Sequence, residues 1–328
     1  MTAKKKVVIT DHDYGSQKIE HGILDAIADV QLYQCKNVED ILSDIADVDG
    51  LLVEYAQVTR KVIESCKNLK VISRYGIGYD SVDVEAATDN GIVVCNVPDY
   101  CYDEVVIHTV ALILSLVRKV VFLDKAVKTQ AWDLSLQKPL YALGDMTLGL
   151  VAFGNIARGV AEKMRPFGVK IISSDPYAPD ELFGRFGVEK VQFDELLERA
   201  DIVSIHSALT KETFHLFGSE QFRKMKKSAV LINTSRGSLV DELALYEALA
   251  VGDISAAAID VAEQEPIARD NPLLALDNII ITPHASFYSE RSIIQLQQRA
   301  ATAVLDVLSG RKPRNPVNPE VLSVLDLS

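Results

Sequence analysis

Basic residues and long apolar runs are both scarce in this chain of 328 residues. The sequence carries 34 Lys and Arg against 46 Asp and Glu, which gives a formal net charge of −12. Phosphate backbones and anionic lipid surfaces are bound through clustered cations, so neither a nucleic acid nor a membrane is expected as a partner. The most apolar stretch, Thr109–Val117, is far too short to span a bilayer.

Cysteine is also sparse. The four cysteines form neither a CxxC pair nor a dense framework, which argues against zinc and structural disulfides. The basic start, Met1–Lys6, is followed by a short apolar run that ends at Asp11, so no signal peptide is expected. With 48% apolar and 24% charged residues, the composition predicts a globular protein of about two domains, and we expect a cytoplasmic enzyme.

Short β-branched runs alternate with helix-period segments along the chain, which indicates parallel sheets covered by helices on both faces. The first series of predicted strands comprises Val7–Thr10, Gln31–Gln34, Gly50–Val53, Lys70–Ser73 and Ile92–Cys95. The second series comprises Leu148–Phe153, Val169–Ser174, Ile202–His206, Val230–Asn233, Ala257–Val261 and Ile279–Thr282.

The predicted fold class is therefore α/β, with two doubly wound parallel-sheet lobes. Predicted helices lie near Glu20–Ala28, Val38–Ile45, Thr59–Cys66, Val82–Asp89, Asn155–Arg165, Phe193–Ala200, Ser219–Lys224, Glu242–Ala250 and Arg291–Leu308. A further helix, Asp103–Val117, joins the two series. Its apolar C-terminal half is interpreted as core or as a dimer seam, and the sequence leaves both open.

A degenerate dinucleotide fingerprint follows the first strand of the second series. Gly154 occupies the position where the backbone must approach a pyrophosphate, and Asn155 and Ile156 open the helix behind it. Ala152 replaces the glycine of the tight turn, and Ala157 occupies the position of close helix packing. The helix N-terminus supplies N–H groups and a positive dipole end for a diphosphate.

An acid lies where the ribose of a dinucleotide would need one. Asp175 ends the next predicted strand, about 20 residues after Gly154, as binding of a ribose 2′-hydroxyl requires. The same carboxylate would repel a 2′-phosphate, so NAD is the predicted cofactor rather than NADP.

Three segments at successive strand ends carry an Arg, a Glu and a His. Arg236 can hold a carboxylate and polarise a carbonyl, and His284 can donate a proton to a developing alkoxide. Glu265, paired with His284, would favour the imidazolium and orient it. Such a set is sufficient for carbonyl reduction.

On these segments the sequence resembles the D-isomer-specific 2-hydroxyacid dehydrogenases over essentially its whole length. Thr282–Glu290 and Asn96–Cys101 look most like bacterial relatives of the C-terminal binding proteins, often labelled phosphoglycerate dehydrogenase-like. The resembling segments, in the order of the family, are Arg74–Asp80, Asn96–Pro98, Asp103–Thr109, Ala152–Ala157, His206–Thr210, the Arg236 loop, Glu265–Pro266 and Pro283–His284.

The resemblance implies a flavodoxin-like substrate lobe of residues 1–100, completed by 290–328, with a Rossmann-type NAD lobe of residues 101–289 inserted. It implies a homodimer through the NAD lobe and hydride transfer between NAD(H) and C2 of a small D-2-hydroxy or 2-keto acid. The implied catalytic set is Arg236, Glu265 and His284. The implied substrate site adds the backbone of Tyr75, Gly76 and Ile77 to Arg236, and the implied cofactor residues are Gly154, Asn155, Ile156, Asp175, His206, Thr234 and Asp260.

Two alternatives use the same scaffold: an NAD(H)-sensing, corepressor-like binding protein, and a dehydrogenase of phosphite or formate. Glu54 lies where the phosphoglycerate branch tends to place a cation, which argues against 3-phosphoglycerate as substrate. Of the other histidines, His12, His21 and His215 are predicted at the surface, and His108 as a structural hydrogen-bonding residue. The identity of the 2-hydroxy acid is not predicted.

Overall fold

The computed structural model describes residues 4–35, 37–323 and 327. Its internal contacts divide the chain into two compact units, the first formed by residues 1–101 with 288–328 and the second by residues 102–287. These divisions lie within two residues of the predicted boundaries at 100/101 and 289/290.

The strands of the first unit are β1 (Lys5–Ile9), β2 (Ala28–Leu32), β3 (Gly50–Val53), β4 (Val71–Arg74) and β5 (Val93–Cys95). The strands of the second unit are β6 (Thr147–Val151), β7 (Lys170–Ser174), β8 (Glu189–Lys190), β9 (Ile202–Ile205), β10 (Val230–Asn233), β11 (Ala256–Ile259) and β12 (Ile279–Ile281).

The helices of the first unit are α1 (Lys18–Leu24), α2 (Leu42–Ile45), α3 (Arg60–Ser65), α4 (Val84–Asp89) and, from the end of the chain, α12 (Glu290–Leu308). The helices of the second unit are α5 (Tyr102–Val117), α6 (Val120–Lys128), α7 (Asn155–Met164), α8 (Asp180–Arg185), α9 (Phe193–Arg199), α10 (Ser219–Lys224) and α11 (Glu242–Val251).

The first unit is built on a five-stranded parallel sheet in the order β2-β1-β3-β4-β5. This is the flavodoxin-like order, in which ligands bind beyond the carboxyl ends of the strands. All four residues of β3 are buried, as a central strand covered on both faces requires. Helix α12 packs an apolar stripe that includes Leu296, Ala300 and Val304 onto β3 and β4.

The second unit is built on a seven-stranded parallel sheet in the order β12-β11-β10-β9-β6-β7-β8. Counted from β6, this order is 3-2-1-4-5-6-7, which is the doubly wound order of Rossmann folds with one strand added. The carboxyl ends of these parallel strands lie at one edge, and the predicted site residues of this unit follow the ends of β6, β7, β9, β10, β11 and β12. The predicted fold class is confirmed.

Helix α5 belongs to the core of the second unit. Its buried side chains pack against α7, β10 and β11; they are Val105, Val106, Thr109, Leu112, Ile113, Leu116 and Val117. The interpretation as core is therefore right for this face of the helix. In the described ranges no single helix is long and apolar enough to cross a membrane, and α5 reaches such a length only together with α6, at a bend of 58°.

Several element predictions were wrong in detail. Strand β2 begins at Ala28, where a helix was expected to continue, and the prediction placed the strand three residues too late. Helices α6 and α8 and the two-residue strand β8 were not predicted. Helix α6 was missed because its apolar side chains are not buried, so they form no stripe facing this unit's core.

Candidate active site

His284 and Glu265 form a hydrogen-bonded pair in the second unit. The distance from His284 Nδ1 to Glu265 Oε2 is 2.7 Å, and the other oxygen of the carboxylate accepts from the Ala262 N–H at 3.0 Å. Burial raises the pKa of Glu265, but the hydrogen bond and charge of His284, the Ala262 N–H and the charge of Arg236 together outweigh burial and lower it. Glu265 is therefore ionised at neutral pH and holds the imidazole ring by Nδ1.

Arg236 is carried by a loop that leaves the carboxyl end of β10. Asn233, the last residue of β10, accepts from the Ser235 N–H at 3.0 Å and donates to the Arg236 carbonyl at 2.8 Å. This Asx-type turn ties the loop to the strand. The charge of Arg236 acts on Glu265, so an Arg, a Glu and a His do come together in this unit.

Gly237 is a site residue that the sequence analysis did not single out. A Cβ atom added there would lie 1.9 Å from the carbonyl carbon of Ala262 and 2.4 Å from the N atom of Glu263. These are backbone atoms, which cannot rotate away. Only glycine therefore allows the Arg236 loop to lie against the turn that carries Glu265.

Asp260 holds the segment that carries His284. Its buried carboxylate accepts from the N–H groups of Ala285 at 2.9 Å and Ser286 at 2.8 Å, and its carbonyl accepts from the His284 N–H at 2.7 Å. His284 has a φ of +51°, a left-handed conformation that non-glycine residues adopt rarely and at a cost. The contacts to Asp260 maintain that conformation.

The N-terminus of α7 has room for the pyrophosphate of a dinucleotide. Gly154 is its N-cap residue, and a Cβ atom added there would meet no atom within 4 Å. The glycine is therefore not required by contacts within the protein, which fits a position reserved for close approach of a ligand. Ala152, at the first fingerprint position, adopts a φ of +68°, so alanine tolerates the strained turn that glycine usually makes.

The close packing expected at the third fingerprint position is found two residues later. Ala157 is fully buried, but a Cβ atom on Gly159 would lie 2.4 Å from the hydroxyl of Tyr102 and 2.7 Å from Val106. Gly159 thus allows α7 to approach α5. Sequence reasoning missed it because the spacing of the fingerprint pointed to Ala157.

Three further predicted cofactor residues lie at the same sheet edge. Asp175, after β7, accepts from the Phe153 N–H at 2.8 Å, which places it beside the α7 turn. Burial lowers the pKa of His206 to about 3, so its ring is neutral; Nε2 lies 2.9 Å from Ser204 Oγ, and the buried Nδ1 has no partner among the described residues. Thr234 shares a hydrogen bond of 2.9 Å with Thr109.

Comparison with known proteins decides the family. Residues 110–286 match the sequence model described as "D-isomer specific 2-hydroxyacid dehydrogenase, NAD binding domain". A D-3-phosphoglycerate dehydrogenase of Methanocaldococcus jannaschii is 42% identical over 302 residues; the match covers 90% of this chain and 56% of that protein's length. A glyoxylate reductase of Thermofilum pendens is 40% identical over 301 residues, covering 88% of this chain and 87% of that protein. The chain belongs to the D-isomer specific 2-hydroxyacid dehydrogenase family.

The three-dimensional comparison agrees. A D-lactate dehydrogenase of Aquifex aeolicus, solved in complex with NAD and lactic acid, superimposes with a TM-score of 0.86 at 28% identity, over 93% of this chain and 96% of that one. The predicted family is thus confirmed, as is its oxidoreductase class: a 2-hydroxyacid dehydrogenase that uses NAD. Among the described residues, no group of three or more His, Cys, Asp and Glu could hold a metal ion.

In the first unit of this dehydrogenase, the loop after β4 contains the predicted substrate nest. Gly76 has a φ of +149°, and a Cβ atom there would overlap the guanidinium of Arg74. The N–H of Tyr75 donates to the Val53 carbonyl at 2.8 Å and that of Gly76 to the Arg74 carbonyl at 2.9 Å. Of the three predicted nest groups, two are therefore already used within the protein, which shifts the prediction toward Ile77.

The resembling segment Asn96–Pro98 has a structural role next to this loop. The side-chain amide of Asn96 donates to the Ile77 carbonyl at 2.7 Å, and the Val97 N–H donates to the Gly76 carbonyl at 2.9 Å. Both carbonyls are thereby held by the segment after β5. The predicted substrate loop is thus fixed by the segment after β5, through one side-chain amide and one backbone N–H.

Glu54 follows β3 and is almost fully buried, with 2% of its surface exposed. Its carboxyl group accepts from Tyr14 Oη at 2.7 Å and from the Asp13 N–H at 2.9 Å. Burial raises the pKa of Glu54 to about 7, although both hydrogen bonds oppose the shift. No cation supplied by Arg60 or Lys61 compensates this acid, because those side chains pair with Asp89 and Glu39 instead.

The prediction for His12 was wrong. Only 4% of this residue is exposed, its Nδ1 accepts from the Tyr14 N–H at 3.1 Å, and its ring stacks on that of Tyr14. The predicted surface position followed from the charged residues around it in the sequence. The loop after β1 instead folds inward, because Asp11 accepts from the N–H groups of Tyr55 at 2.6 Å and Ala56 at 3.1 Å.

Proposed function

We propose that the chain transfers a hydride between NAD(H) and C2 of a small, unphosphorylated D-2-hydroxy or 2-keto acid, with Arg236, Glu265 and His284 as its catalytic residues. The observation that carries the proposal is the 2.7 Å hydrogen bond between His284 Nδ1 and the ionised Glu265, beside the charge of Arg236. An imidazole held in this way is oriented to exchange a proton at Nε2.

When bound, the reduced nicotinamide supplies the hydride. Arg236 would pair with the substrate carboxylate and polarise the carbonyl, because a guanidinium presents several N–H donors to planar oxygen groups. His284 would protonate the developing alkoxide, and the Glu265 carboxylate would stabilise the imidazolium before transfer. His284 is thus protonated for reduction and neutral for oxidation, so the two directions have opposite pH preferences.

The cofactor-binding roles of Gly154, Asn155, Ile156, Asp175, His206, Thr234 and Asp260 remain part of the proposal. The open space at Gly154 and the unpartnered Nδ1 of His206 fit a bound dinucleotide. Asp175 beside the α7 turn favours NAD over NADP, since a carboxylate repels a 2′-phosphate. Of Tyr75, Gly76 and Ile77, the predicted backbone contacts of the substrate carboxylate, we favour the N–H of Ile77, because those of Tyr75 and Gly76 donate within the protein.

An unphosphorylated substrate is favoured by Glu54. The similar proteins named above include a D-3-phosphoglycerate dehydrogenase and a glyoxylate reductase, so similarity alone supports both substrate classes. A carboxyl group with a pKa near 7 carries negative charge at and above neutral pH, where a phosphate is a dianion. Such a group would weaken binding of a phosphorylated acid.

The test is a panel of 2-keto acids from glyoxylate to phenylpyruvate, including a phosphorylated one, with NADH oxidation followed by absorbance. We expect turnover of the small unphosphorylated members, and His284→Gln should lower kcat at least a hundredfold while NADH affinity, measured by fluorescence titration, changes less than threefold. A reduction rate that rises steadily from pH 5 to pH 9, or an active His284→Gln variant, would contradict the catalytic assignment.

The same panel separates the dehydrogenase from a corepressor-like binding protein. Tight NADH binding without oxidation of any acid would favour the binding protein. Reduction of NAD by phosphite or formate would instead identify the third alternative. No feature of the described residues favours either over the proposed activity.

We further propose a homodimer formed through the second unit. Residues 118–145, all of them described, include no buried side chain, yet they expose Val120, Phe122, Trp132 and Leu134, with Trp132 88% exposed. A groove of about 440 Å³ beside α6 is lined by apolar residues such as Val121, Leu136 and Ile280. An apolar patch of this kind on a folded unit marks an interface.

Sedimentation analysis tests this assembly. The parent should have about twice the 36.1 kDa mass of one chain, and a Phe122→Glu, Trp132→Glu variant should sediment as a monomer. A parent that sediments as a monomer at micromolar concentration would refute the dimer. An exposed Tyr177→Glu variant, in a different part of the unit, is the matched control.

A cytoplasmic location is also proposed. Cys35, Cys66, Cys95 and Cys101 are all free thiols, and three of them are buried. Thiols persist in reducing compartments. Alkylation of unfolded protein from fresh cell extract should modify all four, whereas recovery of disulfide-linked cysteines would contradict the location.

A further inference from the structure

His108 on α5 contacts the segment that carries His284 from behind. Its Nε2 atom lies 3.1 Å from the hydroxyl of Thr282 and 3.6 Å from a carboxylate oxygen of Asp260. Thr282 precedes Pro283 and His284 in the chain, and Asp260 binds the backbone on the other side of His284. His108 therefore lies against both Thr282 and Asp260, the residues that flank and hold the His284 segment. None of the three is among the proposed catalytic residues.

The number of protons available at Thr282 shows which atom donates in the hydrogen bond between His108 and Thr282. A threonine hydroxyl has a single proton, and here it is donated to Asp260 at 2.5 Å, because the buried carboxylate can only accept. The hydroxyl oxygen must then accept from His108, so the proton of His108 resides on Nε2. The relay runs from His108 to Thr282 to Asp260, with each group donating to the next.

The relay is important because Asp260 is buried and its carboxylate accepts several hydrogen bonds. Its carboxylate accepts from Thr282, Ala285 and Ser286, and these bonds maintain His284 at its left-handed φ of +51°. A buried carboxylate that loses one donor is less well satisfied and free to turn, which would loosen the other bonds. A strained conformation persists only where its surroundings over-determine it.

We propose that His108 is a positioning residue for His284, acting through Thr282 and Asp260. The proposal rests on the catalytic role proposed for His284. The adjacent residue supports it independently: Thr109 bonds Thr234 at 2.9 Å, at the start of the Arg236 loop. Two successive side chains of α5 thus hold the loops that follow β10 and β12.

Kinetics of matched variants provide the first test. His108→Leu removes the donor, His108→Gln keeps an N–H near the position of Nε2, and Ile107→Ala alters a neighbouring side chain that is 56% exposed. We expect His108→Leu to lower kcat about tenfold, the size of one hydrogen bond, with NADH affinity and KM within twofold. His108→Gln should restore most of the activity, and Ile107→Ala should match the parent.

A second pair of measurements does not depend on turnover. In the protein without substrate, the ring C–H resonance of His284, assigned by its loss in His284→Gln, should shift or broaden in His108→Leu and return to the parental position in His108→Gln. In a Thr282→Val background, which already breaks the relay, His108→Leu should change kcat less than twofold.

These results can fail separately from the proposed function. If the parent turns over no keto acid, the catalytic proposal fails, and the resonance of His284 still reports its position. If His108→Leu keeps kcat within twofold and leaves the His284 resonance unchanged, the positioning role is overturned. Independent, multiplicative effects of His108→Leu and Thr282→Val would also overturn it, because they would show that the two residues do not act in series.

Discussion

Two glutamates, Glu54 in the first unit and Glu265 in the second, have opposite pKa shifts. Desolvation raises the pKa of both carboxyl groups, and the hydrogen bonds that Glu54 accepts from the phenol of Tyr14 and the Asp13 N–H do not outweigh it, so the pKa of Glu54 is raised to about 7. Glu265 is bonded to His284 and lies near the charge of Arg236, and its pKa is lowered. The two acids differ because His284 and the charge of Arg236 favour the ionised form of Glu265, whereas burial dominates at Glu54.

Two buried aspartates, by contrast, have the same role in the two units: each holds a neighbouring loop by accepting hydrogen bonds from its backbone. Asp11 accepts from the N–H groups of Tyr55 and Ala56 after β3, and Asp260 accepts from those of Ala285 and Ser286 after β12. In each case a buried carboxylate beyond one strand holds the loop that follows another. The units thus differ in the partners of their glutamates, not in how their loops are held.

The largest effect should come from separating Glu265 and Arg236. In Gly237→Ala, the added methyl group meets the backbone of Ala262 and forces the two loops apart. Displacements near 1 Å in a reacting site cost about a hundredfold in rate, so kcat/KM for keto-acid reduction should fall at least that far. Gly184→Ala, where an added Cβ atom meets nothing within 4 Å, is the control and should keep full activity.

Removing the charge of Glu265 should have the next largest effect. Glu265→Gln keeps the shape but supplies a neutral oxygen, so His284 loses the carboxylate that orients it, and kcat should fall about a hundredfold with little change in NADH affinity. Steady-state kinetics and a fluorescence titration measure the two quantities. The exposed Glu247→Gln serves as control; equal activity of both variants would refute the assigned pair.

Glu54 should destabilise the fold as pH rises. Its folded pKa of about 7 exceeds the unfolded value of about 4.3, so the unfolded chain ionises first and stability is lost between these pH values. Glu54→Gln should raise the free energy of unfolding by on the order of 2 kcal/mol at pH 8 and leave it nearly unchanged at pH 4. Urea unfolding at both pH values measures this free energy, and Glu64→Gln, on the exposed side of α3, is the control variant. A gain that is equal at both pH values would contradict the shift.

The smallest effect concerns the phenol that supports Glu54. Tyr14→Phe removes the 2.7 Å bond to the carboxyl group, which should cost about 1 kcal/mol of unfolding free energy at pH 8, where the acid is charged, and less at pH 5. The 92% exposed Tyr177→Phe provides the baseline. A larger loss at pH 5 than at pH 8 would show that Glu54 is not the partner that matters.

Much of the fold could be predicted, because parallel strands buried on both faces are continuous apolar runs. Gly50–Val53 and Val230–Asn233 were predicted with their observed bounds. Helix α6 could not be predicted from a core-facing stripe, since its apolar side chains are exposed in this unit. His12 was misjudged because its neighbours in the sequence are charged, while the hydrogen bonds of Asp11 turn the loop inward.

Some residues of the candidate site could likewise be predicted from the sequence, and others could not. Residue type and position after a strand were sufficient to point to Arg236, Glu265 and His284. Gly237 could not be identified from the sequence, because the atoms that exclude a side chain there belong to Ala262, 25 residues away. The relay of His108 could not be identified either, because it joins α5 to residues more than 150 positions later.

The chain by itself determined its class of fold, its family and the chemistry of its candidate residues, since these depend on local apolar patterns and on side-chain types. Only the tertiary structure decided which acid is charged, which glycine is indispensable and which histidine is buried. Those properties arise from atoms that approach one another across the sheet edge, and no spacing along a sequence encodes such distances.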